Sequence, residues 1–146
     1  MINWQRAKVY ERRASCVKVQ IKMPVKTACS SKSGFHKKNP RPANSGTVIL
    51  ITRGWPYPWV DYDEYQPILS PHHDTKNRWF ASEKTEADWK RYEEEFFPQM
   101  KEIKAVEAIE ALRQRVKKGE TITLLCYCRE GEHCHRDIIK SLIETA

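Results

Sequence analysis

Two uncharged apolar runs constrain this chain more than anything else in it: TVILIT from Thr47 to Thr52 and TITLLCYC from Thr121 to Cys128. Short continuous apolar runs mark strands covered on both faces, which is the environment of a parallel sheet. Parallel neighbours need a long crossover, and the intervening sequence supplies helices for it. Thr85 is expected to cap one helix, with Asp88 three residues on reaching back to the free amides. Trp89, Tyr92 and Phe96 then fall on one face and read as core. Pro98 is placed in the first turn of a second helix, whose positions Ile103, Val106, Ile109, Leu112 and Val116 form an apolar stripe. Lys117 and Lys118 suit its C-terminal dipole, and Gly119 suits a left-handed cap. A right-handed crossover between neighbouring parallel strands follows. A last helix, from about Cys134 to Glu144, turns Ile138, Ile139, Leu142 and Ile143 onto the sheet. The expected class is α/β, a small mostly parallel sheet with helices packed on it, in a single compact domain over residues 1–146.

The rest of the chain is less regular. Lys8 to Tyr10 and the alternation of Val17, Val19, Ile21 and Met23 with Lys18, Gln20 and Lys22 predict an edge strand. Residues 27–46 are rich in Ser, Lys, Asn, Pro and Gly and are expected to form a basic flexible loop, with 47–146 as the core. Such a loop suits a lid over a ligand. After TVILIT, Arg53-Gly54-Trp55-Pro56-Tyr57-Pro58-Trp59 can only be a turn. Trp55 and Trp59 there are expected to plug the end of the sheet or to contact a ligand. Residues 67–82 look irregular, and the adjacent His72 and His73 read as solvated rather than metal-bound.

At 146 residues, 40% hydrophobic and 31% charged, the composition is that of a folded globular protein. The net charge of +7 is unevenly placed: residues 1–54 hold 12 Lys and Arg against one acid, Glu11, and the remainder is net acidic. Clustered cations suit an anionic partner, either a small molecule or a nucleic acid. Five cysteines in no secretory pattern, no signal region at the start and no membrane-length apolar run predict a cytoplasmic protein with reduced thiols and no membrane contact.

Chemistry concentrates in TITLLCYCREGEHCHR, which holds three of the five cysteines and two of the five histidines. Strand alternation puts Ile122, Leu124, Cys126 and Cys128 on one face and Leu125 and Tyr127 on the other. Cys134, His135 and Arg136 fall in the first turn of the closing helix, where free amides and the dipole favour anions and lower a thiol pKa. Arg136 is suited to a bidentate grip on carboxylate or phosphate. The spacing is not that of the phosphatase loop, in which five residues separate Cys from Arg. One reading is an anion-binding catalytic site with Cys134 or Cys126 as nucleophile and His135 as proton carrier. A second is structural zinc on Cys126, Cys128, Cys134 and either His133 or His135, although two ligands from one strand is an unusual spacing. The third is inert: core cysteines and a capped helix.

LLCYCREGEHCHR resembles the Leu-Leu-Cys-x-Glu-x5-Cys-His-Arg signature of the YeaO-like domain-of-unknown-function family 488. VILITRGWP is similar to that family's strand ending in Arg with Trp-Pro beyond it. Looser matches follow at Leu69 to Pro71, Trp79 and WKRYEEEF. The resemblance implies a compact α/β domain and places Cys126, Cys134, His135, Arg136, Arg53 and Trp55 on family positions. It also marks a departure, since Cys128 stands where the family usually has Glu. The leading expectation is an anionic, phosphate-bearing ligand in a cleft at the carboxyl ends of the two strands. Cys134, His135 and Cys126 would be catalytic and Arg136, Arg53 and Trp55 ligand-binding, with no cofactor and no metal. A nucleic-acid-binding module using the basic N-terminal third and a structural zinc site are the alternatives.

Overall fold

A computed structural model describes residues 25–30, 34–129 and 131–145. The expected strand at 17–23 and the segment 8–10 lie outside these residues. Strands β1 (Val25–Cys29), β2 (Thr47–Leu50), β3 (Glu64–Tyr65) and β4 (Ile122–Cys126) form one sheet in the order β1-β4-β2-β3. All three pairings are parallel. Helices α1 (His73–Ala81), α2 (Glu86–Gln99), α3 (Ile103–Lys117) and α4 (His135–Glu144) complete the α/β fold, with a short 3-10 turn at Pro67–Leu69. The most apolar run becomes the inner strand: every residue of β4 is buried. As expected of a crossover, β2 and β4 are hydrogen-bonded neighbours.

Alternation along the strands divides the interior in two. Val25, Ile49, Ile122 and Leu124 face the helices, which contribute Trp79, Trp89, Phe96, Ile109, Leu112 and Ile139. Val48, Leu50 and Leu125 face the other way, onto Phe35 and Val60. Among the described residues no helix covers that second face; loops do. Two expectations change here. Thr27 to Cys29, placed in the loop from the sequence, belong to β1, because pairing with β4 supplies burial that their own composition lacks. The segment beyond carries Phe35, only 4% exposed. It is tied down by backbone bonds from Lys37 to Trp59 and from Asp61 to Phe35, and by Arg41, which binds both Asp61 and Asp63.

The helices hold further corrections. Residues 67–82 are not irregular: Thr75 and Trp79, one helical turn apart, are the buried positions of α1. Thr85 and Asp88 make the full capping box of α2, as expected. Pro98 lies in the last turn of α2 instead of opening the next helix. The buried stripe of α3 is Ala105, Ile109 and Leu112, whereas Ile103 and Val106 are exposed. Ala105 lets the helix approach closely, and that rotates the longer residues outward. Gly119 ends α3 with a φ of 96°. Gly46 has a φ of 63°, and a Cβ there would sit 2.1 Å from the Thr121 carbonyl oxygen, so only glycine fits. Among the described residues no helix is long and apolar enough to cross a membrane.

Candidate functional site

At the carboxyl end of β4 the chain stops pairing but keeps its alternation, so Cys126 and Cys128 stay on one face. The loop that follows returns to α4, where Cys134 is the extended N-cap residue. Its Sγ lies 3.1 Å from that of Cys126, and the three sulphurs of Cys126, Cys128 and Cys134 all fall within 4.8 Å of one another. Cys126 and Cys134 are 1% and 2% exposed; Cys128 is half-buried.

Two neighbours determine what the cluster can do. His135 is buried, with Nε2 2.6 Å from the Ile51 carbonyl oxygen. A carbonyl only accepts, so Nε2 carries the proton and the Nδ1 lone pair is left facing Cys134 Sγ at 3.5 Å. Burial pushes the His135 pKa down, which keeps the ring neutral. Arg136, 4% exposed, donates from Nη1 to the carbonyls of Cys128 at 2.9 Å and Ala28 at 3.3 Å. It also donates from Nη1 to Cys126 Sγ at 3.0 Å and from Nη2 to the Arg129 carbonyl at 3.0 Å. None of these acceptors is a carboxylate. Burial works against the Arg136 charge, and the neighbouring sulphurs of Cys126 and Cys134 with the Asp137 carboxylate more than offset it, so its pKa is raised.

The thiols titrate as a set. Cys128 is held far below the ordinary thiol range by hydrogen bonds from Cys126 and Cys134, against its burial, with the Arg136 charge adding to the effect. Cys126 is pushed up, first by its hydrogen bonding with Cys128. Cys134 is pushed up by hydrogen bonding with Cys126 and then Cys128. One negative charge thus belongs to the cluster. The half-exposed Cys128 is its favoured seat, and Arg136 supports it from behind through Cys126.

The cluster opens into a pocket of about 130 Å³. Arg53, Cys126, Cys134 and His135 all line it, as does Cys128. Arg53 is steadied by donating to the carbonyls of Pro71 and Ser70, both at 3.0 Å. Arg136 is not in the lining. Trp55 is neither a plug nor a pocket wall: it is 97% exposed and absent from the lining. Trp59, the other proposed plug, is half-buried and packs against the loop-covered face of the sheet. Trp89 and Tyr92, read from the sequence as core, are core and pocket wall at once, and Trp79 joins them in both.

The sequence reading missed Lys76 as a lining residue and gave Cys128 and His133 a part only in the zinc alternative. Cys-x-Cys at a strand end was a usable signal for Cys128. Lys76 carried none, since its helix went unrecognised. His133 stacks on Trp89 with ring centres 4.5 Å apart and sits 3.0 Å from a Glu86 carboxylate oxygen, contacts that no local pattern announces. No acidic side chain lines the pocket among the described residues. Chemically the arrangement offers a thiolate, a neutral imidazole and two cations beside an aromatic wall. The same sulphurs are also a donor set for a soft metal ion.

A family model described as the active DUF488-N3 subclade, DUF488-N3a, matches residues 35–146. No curated protein and no solved structure matches the chain.

Proposed function

The chain belongs to the active DUF488-N3 subclade, and from that premise we propose that it is a cysteine-dependent enzyme acting on an anionic, phosphate-bearing substrate. The observation that carries this reading is the convergence of three sulphurs within 4.8 Å beside a buried arginine that hydrogen-bonds one of them. Cys128 is the nucleophile. Its thiolate attacks an electrophilic centre of the substrate, a bond to sulphur forms, and the leaving group departs with its electron pair. Cys134 and His135 act as the proton carrier: the Cys134 S–H is shared with His135 Nδ1 and lies against the nucleophile. Cys126 relays the charge of Arg136, which makes Arg136 a positioning residue. Arg53 and Lys76 hold the substrate's anionic group. Trp55 has no part in the chemistry.

The test is alkylation of the native protein by iodoacetamide at pH 6 to 7, with the modified peptide identified by mass. Cys128 is expected to react faster than a free thiol and to be slowed by inorganic phosphate. Slow labelling of every cysteine until the chain unfolds would overturn the reading.

The same convergence favours one further reading, a thiophilic ion such as Zn²⁺ held by Cys126, Cys128 and Cys134 with His135 Nδ1 within reach. A metal-bound histidine commonly donates its other N–H to a backbone carbonyl, as His135 does to Ile51. One equivalent of zinc retained through purification and protecting all three thiols would favour it over the nucleophile. Failure to take up zinc at micromolar concentration would exclude it.

A further inference from the structure

We infer that the substrate is single-stranded nucleic acid, its bases stacked on the exposed rings of the turn after β2, which a ladder of aromatic rings joins to the cysteine pocket. The enzymatic reading supplies what the strand is delivered to; whether the strand binds does not depend on it.

The ladder begins at His36, which stacks on Trp59 with ring centres 5.5 Å apart. Trp59 stacks on Tyr57 at 5.6 Å and 8° between planes. Tyr57 meets Tyr127 at 5.0 Å, and Tyr127 lines the pocket alongside Cys128. His36, Trp59 and Tyr57 stack face on face and Tyr127 is tilted against them, so they form a rigid ladder whose exposed member is Tyr57, the other three being half-buried. Beside them Trp55, 97% exposed, offers both faces of its indole, and Tyr57 is 53% exposed.

The turn that presents Trp55 is braced. Tyr65 Oη donates to the Gly54 carbonyl. The Tyr57 amide donates to Tyr127 Oη at 3.3 Å, and the Val60 amide to the Tyr57 carbonyl at 3.1 Å. Pro56 and Pro58 fix two of its φ angles. An indole held open to water by a braced turn is preorganised to stack on something that arrives, at little entropic cost.

Charge selects the arrival. Lys37 and Lys38, both exposed, follow His36 directly, and Arg53 and Lys76 stand at the pocket end. The nearby acids Asp61 and Asp63 are both engaged by Arg41 at 2.7 to 2.9 Å, which blunts their repulsion. Two exposed rings that can take a base face, Trp55 and Tyr57, together with cations that take phosphates, match a single strand, whose bases are free to stack. A duplex hides those faces.

The experiment measures fluorescence anisotropy of a labelled 20-nucleotide thymidine oligomer with the full chain at 20 and 200 mM NaCl. Binding is expected at low salt, with a loss of roughly tenfold or more at the higher salt. Trp55→Ala should weaken it by about five- to tenfold, and Lys37→Glu with Lys38→Glu should weaken it further and flatten the salt dependence. Trp55 packs on nothing, so an unchanged circular dichroism melt verifies that this variant is folded. No binding at 20 mM NaCl, equal affinity for a duplex of the same length, or a Trp55→Ala variant that binds like the parent would each overturn the inference. Saturating oligomer should also slow iodoacetamide labelling of Cys128 severalfold, and undiminished labelling would refute delivery to the pocket. Rapid Cys128 labelling without oligomer binding leaves the enzymatic reading standing and removes this one. Oligomer binding with inert cysteines does the reverse.

Discussion

At the scale of single residues, the site depends on how protons are shared. With Cys128 already ionised near neutrality, its alkylation rate should stay nearly flat from pH 6 to pH 8. An ordinary thiol would gain close to tenfold per unit over the same range. Cys128→Ser should abolish the fast phase, as a rate-against-pH series on both proteins would show. His135 gives a second dependence. Its folded pKa is lowered by burial, so below the ordinary value of about 6.5 the unfolded chain takes up more protons than the folded one. Stability should therefore fall as pH drops from 7 to 5. Thermal melts should show the decline, and His135→Gln should remove most of it while lowering the melting temperature at pH 7. What the sequence disclosed at this scale was membership: Cys126, Cys134, His135 and Arg53 do share one pocket. What it hid was direction. Arg136 looked like a ligand grip because it sits in a first helical turn, yet its donors go to Ala28, Cys126, Cys128 and Arg129. Side-chain aim is decided by residues over a hundred positions away, such as Ala28.

At the scale of elements, strong local signals carried through. Two apolar runs became adjacent parallel strands, and the Thr85 and Asp88 pair closed its capping box. Thr85→Ala should cost about 1 kcal/mol in denaturant unfolding. Elements stabilised mainly by partners were not legible. Helix α1 has a weak apolar pattern, and Trp79 becomes part of the core only because Trp89 lies against it at 5.3 Å. β1 is likewise strand because β4 lies beside it. The joint between loop and sheet gives a sharper prediction. Gly46→Ala would force a side chain into the Thr121 carbonyl from a left-handed backbone, costing about 2 kcal/mol or more. A urea midpoint lowered without change in slope would verify it, and an unchanged midpoint would contradict the contact.

At the scale of the whole molecule, the sheet has unlike faces, one under helices and one under loops. The loop-covered face is fastened by Arg41, whose hydrogen bonds hold Asp61 and Asp63 below the usual carboxylate range. Groups lowered in this way contribute stability above about pH 4 and lose it as pH falls through their folded values. Melting temperature should therefore drop between pH 4 and pH 2, and less steeply in Arg41→Ala than in the parent. Arg136 extends this argument to the site. Its guanidinium joins β1, the end of β4 and the first turn of α4, and through Cys126 it is linked to the charge on the Cys128 sulphur. Whatever neutralises that sulphur, a covalent adduct included, strands a cation inside the protein and loosens three elements together. Each chemical state of the cysteines should consequently have its own melting temperature, so a thermal-shift screen of candidate substrates would register capture at sulphur without an assay for the product.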